Sequence, residues 1–340
     1  MSITLKPLRN QVILITGATS GIGLATVHKA VNAGAKVFMV ARNEDELQKI
    51  QDEMRLNGFN TAFAVADVAE FDQLQSAADH CITTFGRIDT WVNNAGISIY
   101  SRLLDTTDEE ARKLFDTNFW GVVNGSKVAV PFLKEQGGAL INIGSVLSKV
   151  ALPIQGIYSA SKFAVKAFTD ALRRELKADK LPISVSLVMP GAIDTPYPEH
   201  ARSHIGEPVH TPPVYAPELV ADAILECAMT PRREMNVGSS AIIFPFVERY
   251  FPRLQDLIMS KKYMEEGQSL KQAPNFREND DAGNLFKAPT REGYIHGHYP
   301  GHVMKSSVLR KFSNSKSLLS GTAAVLGGIA MIFFKKKRFI

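Results

Sequence analysis

Short apolar runs alternate with amphipathic stretches over the first 190 residues of the chain. Residues 12–16, 36–40, 62–65, 90–93, 139–143 and 184–188 are compact apolar segments of four or five residues. That length and composition suit strands buried on both faces. The stretches between them carry apolar positions at helical spacing, most clearly at residues 45–56 and 162–176. Strands that alternate with helices predict an α/β fold, a doubly wound parallel sheet covered on both sides. Right-handed crossovers then place any ligand at the C-terminal ends of the strands.

The alternation thins after Gly191. Residues 199–216 are rich in Pro and His and read as a loop or lid. Residues 221–228 look helical, and 235–237 fit a last short strand. Residues 241–258 mix Phe, Tyr and Ile with few charges and suit an amphipathic segment, a dimer surface or extra core. Residues 272–302 hold many Pro, Gly, Asn and charged residues without periodicity, which predicts an irregular, partly mobile extension. The uncharged run 317–334 is about as long as a bilayer core is thick, ~30 Å at ~1.5 Å per residue. Lys335, Lys336, Lys337 and Arg338 follow at once. A membrane-anchoring helix is the preferred reading, with a buried helix or one lying in the interface as alternatives. The expected organisation is a catalytic domain over 1–250, an irregular or helical extension over 251–316 and an apolar helix with a basic end over 317–340.

Composition adds limits. The 340 residues are 45% hydrophobic and 21% charged, as in a globular protein. The net charge is +5, but residues 301–340 contribute +8, so the rest of the chain carries −3. The basic residues bracket an apolar run, which argues against nucleic acid as a partner. Two cysteines, Cys81 and Cys227, give neither a disulfide framework nor a zinc pattern. Reduced, buried thiols in a domain facing the cytoplasm are expected. His296, His298 and His302 lie close in sequence but lack a completing ligand set, so they read as solvated loop histidines. Thr106 to Glu110 marks a helix start with acids in its first turn.

The first run leads into Thr16-Gly17-Ala18-Thr19-Ser20-Gly21-Ile22-Gly23, which opens a helical stretch. Glycines allow positive φ and close approach of a phosphate to the backbone. The helix N-terminus supplies unpaired N–H groups. The spacing differs from G-x-G-x-x-G, and a glycine turn can serve packing alone. The second run ends Ala41-Arg42, where an acid would accept from a ribose 2′-hydroxyl and an arginine favours a 2′-phosphate. Arg42 therefore points to NADP(H), with NAD(H) possible. The alternative is a solvated arginine beside Glu44 or Asp45. Asp67 follows the third run and suits either an adenine amino group or a helix cap.

Tyr158 and Lys162 stand four apart, on one face of a helix. A free phenol near pKa 10 exchanges protons poorly at neutral pH, and a nearby ammonium favours the phenolate. Ser145 follows the run 139–143 at the ligand-facing edge, where its hydroxyl suits a substrate oxygen. Asn118 suits a water that links Lys162 to solvent. A lone Tyr-x-x-x-Lys also arises on surface helices, but four such elements in order are more specific.

With these residues the chain resembles the short-chain dehydrogenase/reductase family, whose fold is of the Rossmann type. The resemblance rests on Thr16 to Gly23, Asp67, Asn93-Asn94-Ala95-Gly96, Asn118, Ser145, Tyr158, Lys162, Pro190-Gly191 and Thr195, and covers about residues 8–240. It implies Tyr158 as acid/base, Lys162 as ribose ligand and modulator of the phenol, Ser145 as carbonyl orienter and Asn118 as support of a proton relay. It also implies cofactor contacts at Gly17, Thr19, Ser20, Gly21, Ile22, Gly23, Arg42, Asp67, Val68, Asn94, Ala95, Gly96, Pro190, Gly191 and Thr195, with Asn94 also helping to hold the sheet. The implied reaction is reversible hydride transfer between a nicotinamide and a carbonyl or alcohol carbon, in a homo-oligomer. The tail adds the expectation of a lipophilic substrate and membrane association. A non-catalytic, membrane-tethered nucleotide-binding protein would need a broken catalytic set, and this set is whole.

Overall fold

The computed structural model describes residues 3–205, 212–263, 283–289 and 292–306. Seven strands form its main sheet: β1 (Val12–Thr16), β2 (Lys36–Ala41), β3 (Thr61–Val65), β4 (Thr90–Asn93), β5 (Gly138–Ile143), β6 (Ile183–Pro190) and β7 (Glu234–Val237). Their order is β3-β2-β1-β4-β5-β6-β7. Every neighbouring pair is parallel. Each expected apolar run is a strand; two match at both ends, three are one residue longer and the run at 184–188 is three residues longer. The direction of winding reverses between β1 and β4, and a crevice opens at their C-terminal ends.

Two helical layers cover the sheet because both faces of each central strand are apolar. Ile13 and Ile15 face one way, with α1 (Gly21–Asn32), α2 (Glu44–Leu56) and a later helix over Pro217–Met229. Val12 and Leu14 face the other, with α3 (Phe71–Phe85) and two more helices. Successive side chains alternate across a strand, so one run of five feeds both cores. Local chemistry sets the helix ends. Asn43 caps α2 by accepting from the Glu46 N–H, with three acids in the first turn. Gly86 ends α3 in the left-handed conformation. Thr107 and Glu110 form a capping box at α4 (Asp108–Phe115), the helix start expected at 106–110.

The helices α5 (Gly121–Gln136) and α6 (Gly156–Ala178) follow; α6 starts earlier than the periodic stretch 162–176 suggested and so includes Tyr158. Next come the short α7 (Tyr197–His200), then α8 (Pro217–Met229), α9 (Ser240–Tyr250) and α10 (Pro252–Ile258). Ala241 and Ile243 of α9 are buried, so part of 241–258 is core. Tyr250, Phe251, Leu254 and Leu257 are exposed. Cys81 and Cys227 are buried and not joined in a disulfide, and burial pushes the Cys81 thiol up to about 12.

The described parts of 272–302 are irregular, as their composition implied, yet they return to the sheet body. Val303–Met304 pairs in parallel with Val214–Tyr215. Among the described residues no helix is long and apolar enough to cross a membrane. The expected apolar helix at 317–334 and its basic end lie outside the described residues.

Candidate active site

The end of β1 and the start of α1 are held by a small network. The Asn94 amide donates to the carbonyls of Thr16 and Gly17 at 2.9 and 3.1 Å. The Thr16 hydroxyl accepts from the N–H groups of Asn94 and Ala95. Asn94 thus ties β1 to the end of β4, as the resemblance implied. Gly17 has φ +65°, and a Cβ there would lie 2.8 Å from Ala95 Cα. Both its conformation and its space require glycine. Ser20 makes no side-chain cap bond, so its hydroxyl is free of the helix end.

Gly17, Thr19, Ser20, Gly21, Ile22, Ala95 and Gly96 line one cleft. Gly23 does not. A Cβ at Gly23 would overlap the Gly17 carbonyl oxygen, so this glycine serves close packing of the loop on α1.

Arg42, Asp67 and Val68 line the same cleft further out. Arg42 does not meet Glu44 or Asp45. Its Nη2 donates to the carbonyl oxygens of Asn284 (2.7 Å) and Lys287 (3.2 Å), and its Nη1 is buried without a partner. Asp67 does not cap α3, whose N-cap is Glu70. It accepts from the Ala69 N–H and pairs with Lys113 at 3.1 Å. Burial raises the Asp67 carboxyl, but the Ala69 N–H and Lys113 outweigh it and hold the group below its usual value.

At the other end of the cleft stand Ser145, Tyr158 and Lys162, all buried. Ser145 follows β5 and opens a one-turn helix at 146–148, where its hydroxyl accepts from the Leu147 N–H at 3.1 Å. Its hydroxyl is also a hydrogen-bond neighbour of the Tyr158 phenol. Lys162 reaches under Tyr158. Its Nζ donates to the Ile143 carbonyl at 3.0 Å and lies 5.6 Å from the phenol ring centroid. Burial lowers the Lys162 amine to about 8. The phenol itself is raised, because burial disfavours the phenolate more than the Tyr197 and Ser145 hydroxyls favour it. The expected lowering by Lys162 is therefore not the dominant influence on this phenol. Desolvation outweighs it.

Asn118 sits in a π-helical turn, Asp116–Trp120, between α4 and α5. Its amide is spent on protein. It exchanges hydrogen bonds with both backbone groups of Ile97 (2.8 and 3.0 Å) and donates to Ser161 at 3.3 Å. Thr117, rather than Asn118, lines the cleft. Pro190, Gly191 and Thr195 line it at the end of β6. A Cβ at Gly191 would overlap the Ser240 hydroxyl of α9.

The cleft has a volume of about 490 Å³. Near Tyr158 it is lined by Leu147, Leu152, Ile154, Tyr197 and Phe244, which no sequence motif marked, and by Ile205 of the expected loop at 199–216. Ile154 has φ +60°, a strained value for a β-branched residue. Nor did any motif mark Asn284, Ala288, Pro289 and Glu292, which line the opposite end. Next to Glu292, the chain is tied to the glycine loop. Gly293 N–H donates to the Thr19 carbonyl (3.0 Å), and Gly21 N–H donates to the Tyr294 carbonyl (2.9 Å).

His296 stands between Asp194 and Glu218 at 3.0 and 2.9 Å, and His298 meets Glu199 at 2.9 Å. These two histidines are thus paired anchors of the segment, not simply solvated. No group of three potential metal ligands occurs among the described residues. Distance along the chain hid these contacts, since Thr19 and Glu292 are 273 residues apart.

A doubly wound parallel sheet, a glycine loop at the switch point and a buried Ser–Tyr–Lys set are the features the family resemblance led one to expect. The comparisons agree. The profile of the family described as short chain dehydrogenase matches residues 11–206. A Bacillus subtilis protein, "Uncharacterized oxidoreductase YxnA", is 43% identical over 301 residues, with 86% of this chain and 84% of that protein covered. "Dehydrogenase/reductase SDR family member 7B" of Xenopus tropicalis is 32% identical over 243 residues, covering 68% of this chain and 78% of its own. A short-chain dehydrogenase/reductase from Burkholderia phymatum, solved in complex with NAD, superposes with a TM-score of 0.67 at 24% identity over 74% of this chain and 97% of its own. The chain belongs to the short-chain dehydrogenase/reductase family and is an oxidoreductase of that family. The 86% coverage by the Bacillus protein is more than residues 1–250 can supply, so that likeness reaches beyond residue 250.

Proposed function

We propose that this oxidoreductase interconverts a carbonyl and a secondary or primary alcohol, with Tyr158 as acid/base and NADP(H) as the preferred cofactor. One observation carries the reading: the Tyr158 and Ser145 hydroxyls and the Lys162 amine are buried together in a cleft continuous with the glycine loop. The nicotinamide, when bound, supplies or accepts hydride at the substrate carbon. Ser145 orients the substrate oxygen. Tyr158 gives that oxygen a proton in reduction and takes one in oxidation. Lys162 holds positive charge behind the phenol and offers its remaining N–H groups to a ribose hydroxyl. Asn118 supports the relay indirectly, by fixing the Ile97 backbone and Ser161. The N-terminus of α1 suits a pyrophosphate through N–H groups beyond Gly21, since the Gly17 and Gly21 N–H groups are given to the Val40 and Tyr294 carbonyls.

Ala41 and Arg42 favour NADP(H), since Arg42 has a buried N–H group without a partner and no acid ends β2. NAD(H) is the second reading, favoured by the Glu292 carboxylate in the same part of the cleft. The apolar wall near Tyr158 supports a lipophilic substrate. Residues 317–334 support membrane association, the use of NADPH supports a catalytic domain facing the cytoplasm, and the family resemblance supports a homo-oligomer. The deciding experiment is a panel of carbonyls and alcohols of graded chain length, assayed with wild type and Tyr158→Phe. Turnover should fall at least about 100-fold in the variant while NADPH binding persists. Turnover at the wild-type rate removes Tyr158 from its role.

A further inference from the structure

The adenosine end of the cleft gathers buried polar atoms from opposite ends of the chain. Arg42 Nη1, Asn284 Oδ1 and Glu292 Oε2 are all buried and without a partner. Arg42 and Glu292 are otherwise held, and the Asn43 side chain also hydrogen-bonds the Glu292 carboxylate. Arg42 Nη2 is held by the carbonyls of Asn284 and Lys287. Glu292 Oε1 accepts from the Thr19 hydroxyl at 3.0 Å. Groups so positioned, each with one atom left over, match a ligand that both donates and accepts.

A ribose with two free hydroxyls can donate to the carboxylate and accept from the guanidinium. A 2′-phosphate can only accept. It gains from Arg42 and is repelled by Glu292. The family resemblance puts the adenosine ribose at the end of β2, and Arg42 and Glu292 feel one another there electrostatically.

We propose that Glu292, delivered by the C-terminal segment, is a specificity-determining residue that opposes the 2′-phosphate at Arg42 and accepts from a ribose 2′-hydroxyl. The preference for NADP(H) set by Arg42 is thereby held down, and the site admits NAD(H). The inference rests on the reading of the cleft as a dinucleotide site. It assigns to the extension a part in cofactor choice that residues 11–206 cannot supply.

The test measures binding alone. Dissociation constants for NADPH, NADH, adenosine 2′,5′-bisphosphate and AMP are obtained by calorimetry for the full chain and for Glu292→Gln, Arg42→Ala and the double variant. Glutamine keeps the shape and the acceptor for Thr19 but loses the charge. Glu292→Gln should shift the NADPH-to-NADH and bisphosphate-to-AMP affinity ratios toward the phosphorylated ligand by about tenfold or more. Arg42→Ala should shift both ratios the other way. Unchanged ratios in Glu292→Gln, or an equal loss for all four ligands, would overturn the proposal and leave Glu292 as a strut for the segment. If Glu292→Gln does not fold, Glu292→Asp serves. It retracts the carboxylate from Thr19 and the ribose, and an unchanged ratio there refutes the proposal equally. Wild type that binds neither dinucleotide would refute the dinucleotide reading itself.

Discussion

Replacing Lys162 by methionine should make the protein more stable and inactive, and the gain should depend on pH. Lys162 is 4% exposed and has one hydrogen bond, to the Ile143 carbonyl. Burial lowers its amine from the usual 10.5 to about 8. At pH 7 the side chain is charged in both folded and unfolded chains, so the folded state bears the full cost of burying the ammonium. The gap between 8 and 10.5 is worth about 3 kcal/mol. Methionine fills similar space without charge but leaves the Ile143 carbonyl without this donor, at a cost of about 1 kcal/mol. The net expectation is about 2 kcal/mol of added stability at pH 7.

The sign with pH follows from proton binding. Between pH 8 and 10.5 the unfolded chain keeps its proton on Lys162 while the folded protein has released it. Wild-type stability therefore rises relative to the variant across that window. Urea denaturation without added nucleotide, at pH 7, 8, 9 and 10, should show the variant's advantage constant up to about pH 8 and shrinking above it. An advantage independent of pH, or a variant less stable at pH 7, would refute the reasoning. A destabilising charge kept at a fixed place in a cleft is what a functional group looks like energetically.

Two further outcomes follow from the loop and the segment across it. Gly17→Ala should cost about 1–3 kcal/mol, because φ +65° is unfavourable for alanine and its Cβ would crowd Ala95; thermal unfolding checks the stability, and a titration with NADPH should show weakened binding. At His296, burial lowers the imidazole but Asp194 and Glu218 outweigh it, leaving the group raised. Its contribution is therefore fully present below about pH 6.5 and lost as pH rises through the raised value. The protection factor of the Gly21 amide, which donates to Tyr294, should fall as pH rises through that window once the intrinsic rise of exchange with pH is divided out, and this fall should be absent in His296→Ala. The effect should be small, since the His296 side chain is 47% exposed.

Much of the sheet was legible in the chain. Val12–Thr16 and Thr90–Asn93 are strands at the residues their apolar pattern marks, and the other runs differ only at their ends. The reason is local: strands buried on both faces must be apolar throughout, and helices between them must be amphipathic. The glycine loop, Ser145, Tyr158 and Lys162 were readable for a related reason. Their chemistry depends on backbone conformation and on residues four apart, which sequence spacing records directly.

Other features depended on distance in space. Spacing places Lys162 beside Tyr158 but says nothing of how deeply both are buried, and burial decides the direction of both shifts. Gly23 belongs to the glycine motif, yet only the approach of Gly17 assigns it to packing. Arg42 reads as a phosphate ligand in the sequence, whereas the fold brings Asn284, Lys287 and Glu292 to it from the far end of the chain. Residues 283–289 and 292–306 have no periodicity because their order comes from the surface they cross, not from their own hydrogen bonds. The sequence by itself determined the sheet, the loop and the candidate reacting side chains, since each is encoded in local pattern. Only the tertiary structure decided which distant residues close the cleft and how charge is balanced there, because those depend on contacts between positions hundreds of residues apart.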